Sequence, residues 1–261
     1  MTSSHTAIPI IRTGAHAILQ QAALVALETG QLAIARGPAG IGKSFALSML
    51  EESMSRKEDR VYVFTATIRN GRSVKRFFDE AILELGIIGY GGSDPMQRLE
   101  RVLLQSFPFR ETGQRVLFVV DECQHLDAKM IECLRAIFDK GRIARDFDHS
   151  KPAFGLLLVG NAHFLSRGGR AERAAFEALL SRCPIEVTLD RPDQEEFAAL
   201  AEGFFPDSPA LKDALCAHGT RHGNLRVMAT AVSIARSFAS GDSVTMAHLQ
   251  KALLFAAGGK A

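Results

Sequence analysis

No cysteine pair in this chain is spaced as CxxC, neither sign of charge dominates, and no apolar run is long enough to cross a membrane. The four cysteines, Cys123, Cys133, Cys183 and Cys216, read as reduced thiols of a cytoplasmic protein and argue against a zinc site. A net charge of +2 excludes a globally basic nucleic-acid coat, so any such surface must be local. Met1 to Pro9 lacks the basic and apolar pattern of a secretory leader, and no membrane partner is expected. Repeats are absent, and low complexity is confined to a short polar start and an Ala/Gly-rich end. What remains is ordinary globular composition, 47% hydrophobic and 23% charged over 261 residues. That is room for one large domain, or a large one with a small one.

Against this background one short stretch stands out, ARGPAGIGKSFALSML at residues 35–50. Gly37-Pro38-Ala39-Gly40-Ile41-Gly42-Lys43-Ser44 matches GxxxxGK[ST] at every fixed position. Glycines let backbone N–H groups approach phosphate oxygens without Cβ interference, and the following helix adds its positive end. Lys43 then reaches the terminal phosphates and Ser44 ligates magnesium, so ATP and Mg2+ are the implied cofactors. Gly37 through Phe45 are the candidate nucleotide contacts. The context fits: Gln31 to Ala35 is a β-compatible run, and Leu47, Leu50 and Met54 then fall on one helix face.

A second stretch, RVLFVVDECQHL at residues 115–126, is a buried-strand run ending in two acids. In a phosphate-binding α/β fold the strand's C-terminal end faces the ligand crevice. Asp121 there would hold the magnesium shell, and Glu122 would polarise an attacking water. Between the two motifs RVYVFTAT reads as a further strand. Two amphipathic helices follow, one on Val74, Phe77, Phe78, Ala81 and Leu85, the other on Met96, Leu99, Leu103 and Phe107. Strands alternating with helices predict a parallel sheet covered on both faces.

FGLLLVGN at residues 154–161 is another strand. It places Asn161 at the same edge as Asp121, as a water-positioning or γ-phosphate-sensing group or as a plain turn residue. Arg182 precedes a last strand, Ile185 to Leu189. It is either a surface residue or a finger that enters a neighbouring subunit's ATP site. After Arg191-Pro192 only helical patterns remain, at 193–203, 209–218, 223–239 and 243–256, with Asp193 and Ser243 or Thr245 as N-caps. The expected division is an α/β nucleotide-binding domain over 1–190 and a small all-helical lid over 191–261. Arg226, at a helix start in the lid, is either a solvated arginine or one that projects onto the phosphates.

The order GPAGIGKS, VVDECQHL, LLLVGN, SRC, GNLR resembles an AAA+ ATPase over roughly residues 10–256. Walker A, Walker B, sensor 1, arginine finger and sensor 2 of that family fall on these stretches in turn. Within it, the DExQHL wording and the compact GNLR lid resemble the MuB/TniB/TnsC group of transposition regulators. The ATPase module of ExeA-type secretion proteins is a near relative. Only about 36 residues precede the P-loop, too few for the helix-turn-helix domain of some members. The resemblance implies an ATP-dependent homo-oligomer, ring or helical filament, that coats double-stranded DNA and delivers a transposase. The alternative it implies is an ExeA-like remodelling ATPase without DNA binding. That class ordinarily continues into a membrane span and a cell-wall domain, neither of which is expected here.

TIRNGRSVKRFF, residues 67–78, offers a DNA surface in Arg69, Arg72, Lys75 and Arg76. Arg72, Lys75 and Arg76 are expected to share a helix face, with Phe77 and Phe78 turned inward. Lys140, Arg142 and Arg145 form a second, aspartate-diluted basic stretch. A solvated charged face is the plain alternative for both.

Overall fold

The computed structural model describes residues 9–54, 59–84, 86, 94–104, 115–143, 153–165 and 169–256. They form two compact units. One comprises Ile18–Gly37 and Lys43–Leu189; the other comprises the described residues up to Ala17, Pro38–Gly42 and the chain from Asp190 onward.

The first unit is an α/β sandwich on five parallel strands: β1 (Leu32–Gly37), β2 (Arg60–Thr65), β3 (Val116–Asp121), β4 (Gly155–Asn161) and β5 (Ile185–Thr188). Their order is β2-β3-β4-β1-β5, the parallel sheet that the apolar runs predict. All of β3 is buried, and β4 is buried through Gly160, as strands covered on both faces must be. The register pairs Thr65 with Asp121 and Gly37 with Asn161, so these strand ends lie along one edge.

Six helices belong to this layer system: α1 (Gly14–Thr29, from Ile18 onward), α2 (Lys43–Met54), α3 (Val74–Glu84), α4 (Pro95–Leu104), α5 (Ala128–Ile143) and α6 (Arg170–Leu180). α2 buries Leu47 and Leu50; the side chain of Met54 lies outside the described residues. α3 buries Phe77, Phe78 and Ala81, and α4 buries Leu99 and Leu103 with Met96 packed beside them. Leu85 and Phe107 lie outside the described residues. Phe64, Phe77 and Phe78 stack edge to face at centroid distances of 4.8 and 5.3 Å, a geometry that adds to area burial. One close approach is fixed by composition. A Cβ on Gly155 would lie 2.3 Å from the Ala26 carbonyl oxygen and 3.1 Å from Leu117.

The second unit contains α7 (Gln194–Phe204), α8 (Pro209–His222), α9 (Leu225–Ala239) and α10 (Met246–Ala256). Asp193 caps α7 with a full capping box: its carboxylate accepts the Glu196 N–H at 2.9 Å, and Glu196 accepts the Asp193 N–H at 2.9 Å. α8 runs beyond the expected His218 and stops at Gly223, whose φ of +59° suits a residue without Cβ. α10 starts at Met246 rather than Ser243, with the Thr245 hydroxyl accepting the His248 N–H at 3.3 Å. The core of this unit is built on Phe197, Leu200, Leu215, Met228, Val232 and Leu249, and Ile11 packs on it. Pro9 sits where a Cβ on Gly203 would be, 2.5 Å away, and the Gly14 N–H bonds to the Glu196 carboxylate.

Candidate nucleotide site

The loop between β1 and α2 turns on glycines with positive φ, +81° at Gly40 and +95° at Gly42. L side chains are strained there, which is why the motif needs glycine. Lys43 opens α2 and its Nζ donates to the Gly37 carbonyl at 3.0 Å, holding the ammonium at the loop's base. Ser44 Oγ donates to Asp121 Oδ2 at 2.6 Å. Two residues 77 apart in sequence are thus joined at one point of the sheet edge. Ile41 is buried and Phe45 is exposed on α2. Pro38, Ala39 and Gly40 belong to the second unit, where a Cβ on Gly40 would fall 2.1 Å from the Asn224 side-chain oxygen.

Asp121 is 1% exposed and its Oδ1 accepts the Glu122 N–H at 2.8 Å. Burial pushes its carboxyl above the usual range; the Ser44 and Glu122 hydrogen bonds and the Lys43 charge pull back, while the Glu122 charge adds to the rise. The donor set fits a magnesium ion. A serine hydroxyl and a desolvated carboxylate oxygen sit in direct contact, both hard oxygen ligands. The sign of the shift carries a prediction. The folded chain holds the Asp121 proton more tightly than the unfolded chain does. Ionised Asp121 therefore costs stability at neutral pH, a cost that disappears below the ordinary carboxyl pKa. Asp121→Asn should raise the melting temperature of the nucleotide-free protein at pH 7, with the gain shrinking as pH falls. Thermal melts of both proteins across that range check it.

Glu122 leaves the strand in the left-handed region, φ +57° and ψ 39°, unusual for a residue with a side chain and costing of order 1 kcal/mol. The 3-10 turn Cys123–His125 follows. It is pinned by fully buried Cys123, whose thiol donates to the Val120 carbonyl at 3.0 Å. Burial and the neighbouring Asp121 charge push that thiol well up, so it acts as an inert apolar plug. Gln124 appears in the DExQHL wording but is given no role by the motif reading. Its amide nitrogen donates to a Glu122 carboxylate oxygen, and its carbonyl accepts the Asn161 N–H at 3.1 Å. The signal for it in sequence is its place in the DExQHL stretch, two residues after Glu122.

Asn161 ends β4 as expected, but its own side chain accepts the His163 N–H at 3.0 Å and so closes the turn that follows. Arg182 is engaged within its own chain: Nε lies 2.8 and 3.0 Å from the two Asp139 oxygens, and Nη1 donates to the Ala178 carbonyl at 2.6 Å. Arg226 is exposed at the start of α9 in the second unit. Its backbone N–H donates to the Asn224 cap at 2.9 Å and to Gly40 O at 3.4 Å. Lys43, Ser44, Asp121, Glu122 and Asn161 thus gather on the α/β unit's strand edge.

The basic turn is tied down by a buried asparagine. Asn70 is 2% exposed; its carbonyl oxygen Oδ1 accepts the Thr67 N–H at 2.6 Å, and its amide donates to Glu80 at 2.8 Å. Arg69, Arg72 and Lys75 are exposed, whereas Arg76 is half-buried beside Glu80 at 3.8 Å. α3 begins only at Val74, because Ser73 takes the cap position and accepts the Arg76 N–H at 3.4 Å. Arg72 therefore lies in the turn, and only Lys75 and Arg76 share the helix. Lys140 is held by Glu100 at 2.8 Å and Arg142 is exposed; Arg145 lies outside the described residues.

The model of the AAA domain family matches residues 26–167, more than half of the chain. The chain belongs to the AAA domain family of ATPases. This AAA protein is also 24% identical over 227 residues to the ATP-dependent target DNA activator B of Escherichia phage Mu, and equally to that of Escherichia phage D108. Each alignment covers 86% of this chain, which spans 66% of the relative's length. Among solved structures, the Aeropyrum pernix ORC2 protein in its ADPNP-ADP complexes matches 99% of this chain and 72% of its own, with a TM-score of 0.72 and 17% identity. Domain III of Thermotoga maritima DnaA matches 94% of this chain and 93% of its own, with a TM-score of 0.56 and 16% identity. These two likenesses establish the fold. Among the described residues no helix is long and apolar enough to cross a membrane.

Proposed function

We propose that this AAA protein is a cytoplasmic ATPase that assembles on double-stranded DNA with ATP and presents that DNA to a transposase. The observation that carries the reading is the likeness to two phage target DNA activators over most of the chain. Beside it stands the Ser44–Asp121 contact at 2.6 Å, where a nucleotide-bound cation would be held. Magnesium, when bound, neutralises phosphate charge. Lys43 exchanges its bond to Gly37 for the terminal phosphates, and the Gly37–Phe45 backbone cradles them. Glu122 accepts a proton from the attacking water. Asn161 fixes the end of β4 beside it, Arg226 reports nucleotide from the lid, and Arg182, once released from Asp139, serves a neighbouring copy in a ring or filament.

Arg69, Arg72, Lys75 and Arg76 face the DNA backbone in this reading. Phosphate contacts of this kind carry no sequence preference and fall steeply with salt. The test is ATP-dependent binding to random-sequence duplex, with electron microscopy for ordered assemblies; no binding with ATP and magnesium would refute the reading. Neutralising Arg72 and Lys75 together should weaken binding about equally across sequences and flatten the salt slope by about one unit per lost contact. An unchanged slope, measured by anisotropy titrations at several salt concentrations, would move the surface elsewhere.

A further inference from the structure

Glu122 is the group on which hydrolysis turns in the reading above, yet backbone geometry alone does not fix its carboxylate. It leaves β3 in the left-handed region, with φ +57°, and a freely rotating glutamate there samples several directions. Among the described residues, the side chain that meets its carboxylate is the Gln124 amide. The other end of that amide accepts the Asn161 N–H at 3.1 Å. Gln124 therefore spans from the acid at the end of β3 to the last residue of β4.

The backbone beneath Gln124 is itself immobilised. His125 N–H returns to the Glu122 carbonyl at 3.0 Å and Leu126 N–H to the Cys123 carbonyl at 3.1 Å. The Asp127 N–H donates to the Gly71 carbonyl at 3.0 Å, and a Cβ on Gly71 would fall 2.3 Å from the His125 carbonyl oxygen. Fully buried Cys123 closes the turn from below. A side chain on so fixed a base loses little further freedom when it holds a neighbour, which is the condition for effective orientation.

We propose that Gln124 is a positioning residue that aims the Glu122 carboxylate and ties its direction to the end of β4 at Asn161. The inference rests on Glu122 serving as the base. A glutamine suits the task because one amide offers a donor to the carboxylate and an acceptor to a backbone N–H. Methionine has nearly the same volume but neither function, so it separates hydrogen bonding from packing.

The experiment compares Gln124→Met and Gln124→Ala, each in the natural chain and in Glu122→Gln, by steady-state ATP hydrolysis and by titration with a fluorescent non-hydrolysable ATP analogue. Both variants should lower kcat about tenfold and leave analogue affinity within about twofold. In the Glu122→Gln background they should lower the residual rate no further, because the carboxylate they position is gone. A natural kcat in Gln124→Met would overturn the inference, as would a full additional loss on top of Glu122→Gln. Glu122→Gln hydrolysing at the natural rate would remove the base itself, a distinct failure that takes the inference with it.

Discussion

Glu122→Gln is expected to bind ATP within about twofold of the natural chain and to hydrolyse it at least about a hundredfold more slowly. The substitution keeps the size of the side chain but removes its negative charge and its ability to take a proton. The cradle, from Gly37 to Ser44, is untouched, as is the Ser44–Asp121 bond. Lys43→Ala should behave in the opposite way. It deletes the ammonium that holds the loop at Gly37, 3.0 Å away, and that would meet the terminal phosphates, so binding itself should fall. Isothermal titration beside phosphate-release assays separates the two. Equal rates for Glu122→Gln and the natural chain would remove Glu122 from its role.

Gly155→Ala should destabilise the fold by about 3 kcal/mol, because the new methyl meets backbone rather than a pliable side chain. The nearest atom is the Ala26 carbonyl oxygen at 2.3 Å, and neither α1 nor the buried strand β4 can move without disturbing its neighbours. For a protein of this size that corresponds to a fall in Tm of about 10 °C. Differential scanning calorimetry checks it; an unchanged Tm would mean that α1 shifts freely off the sheet. The change lies at the start of β4, at the opposite end of the strand from Asn161. Nucleotide affinity below the transition should therefore be retained.

The strands were the most legible part of the fold, since each is a short apolar run that a doubly covered parallel strand must be. β1, β3 and β4 end in the residues that the motifs single out, Gly37, Asp121 and Asn161. Helices α1, α5 and α6 have no counterpart in the sequence expectations. α1 buries Leu19, Ala22, Ala23, Ala26 and Leu27 among many other apolar residues, so its stripe is blurred. α5 carries a readable stripe, Met130, Ile131, Leu134, Ile137 and Phe138, all buried, beside a basic stretch that reads more readily as surface. Gln124 stayed hidden for another reason. Its meaning lies in touching Glu122 and Asn161 together, and the second lies 37 residues away, a pairing that no local pattern encodes. Arg72 falls one residue before the Ser73 cap, outside the helix, because charge spacing alone does not mark where the cap sits.

The second unit is not a continuous stretch of chain, and that bears on how it can be exchanged. Cut at Pro192, the helical segment would leave behind Ile11, which packs on its core, and Pro9, which fills the space over Gly203. It would also part Asn224 from Gly40, a pair so close that no side chain fits between them. The helices are therefore not a cassette. A chimera that borrows them from a relative must take residues 9–17 and 38–42 from the same donor, so that part of the glycine-rich loop is inherited along with the helices.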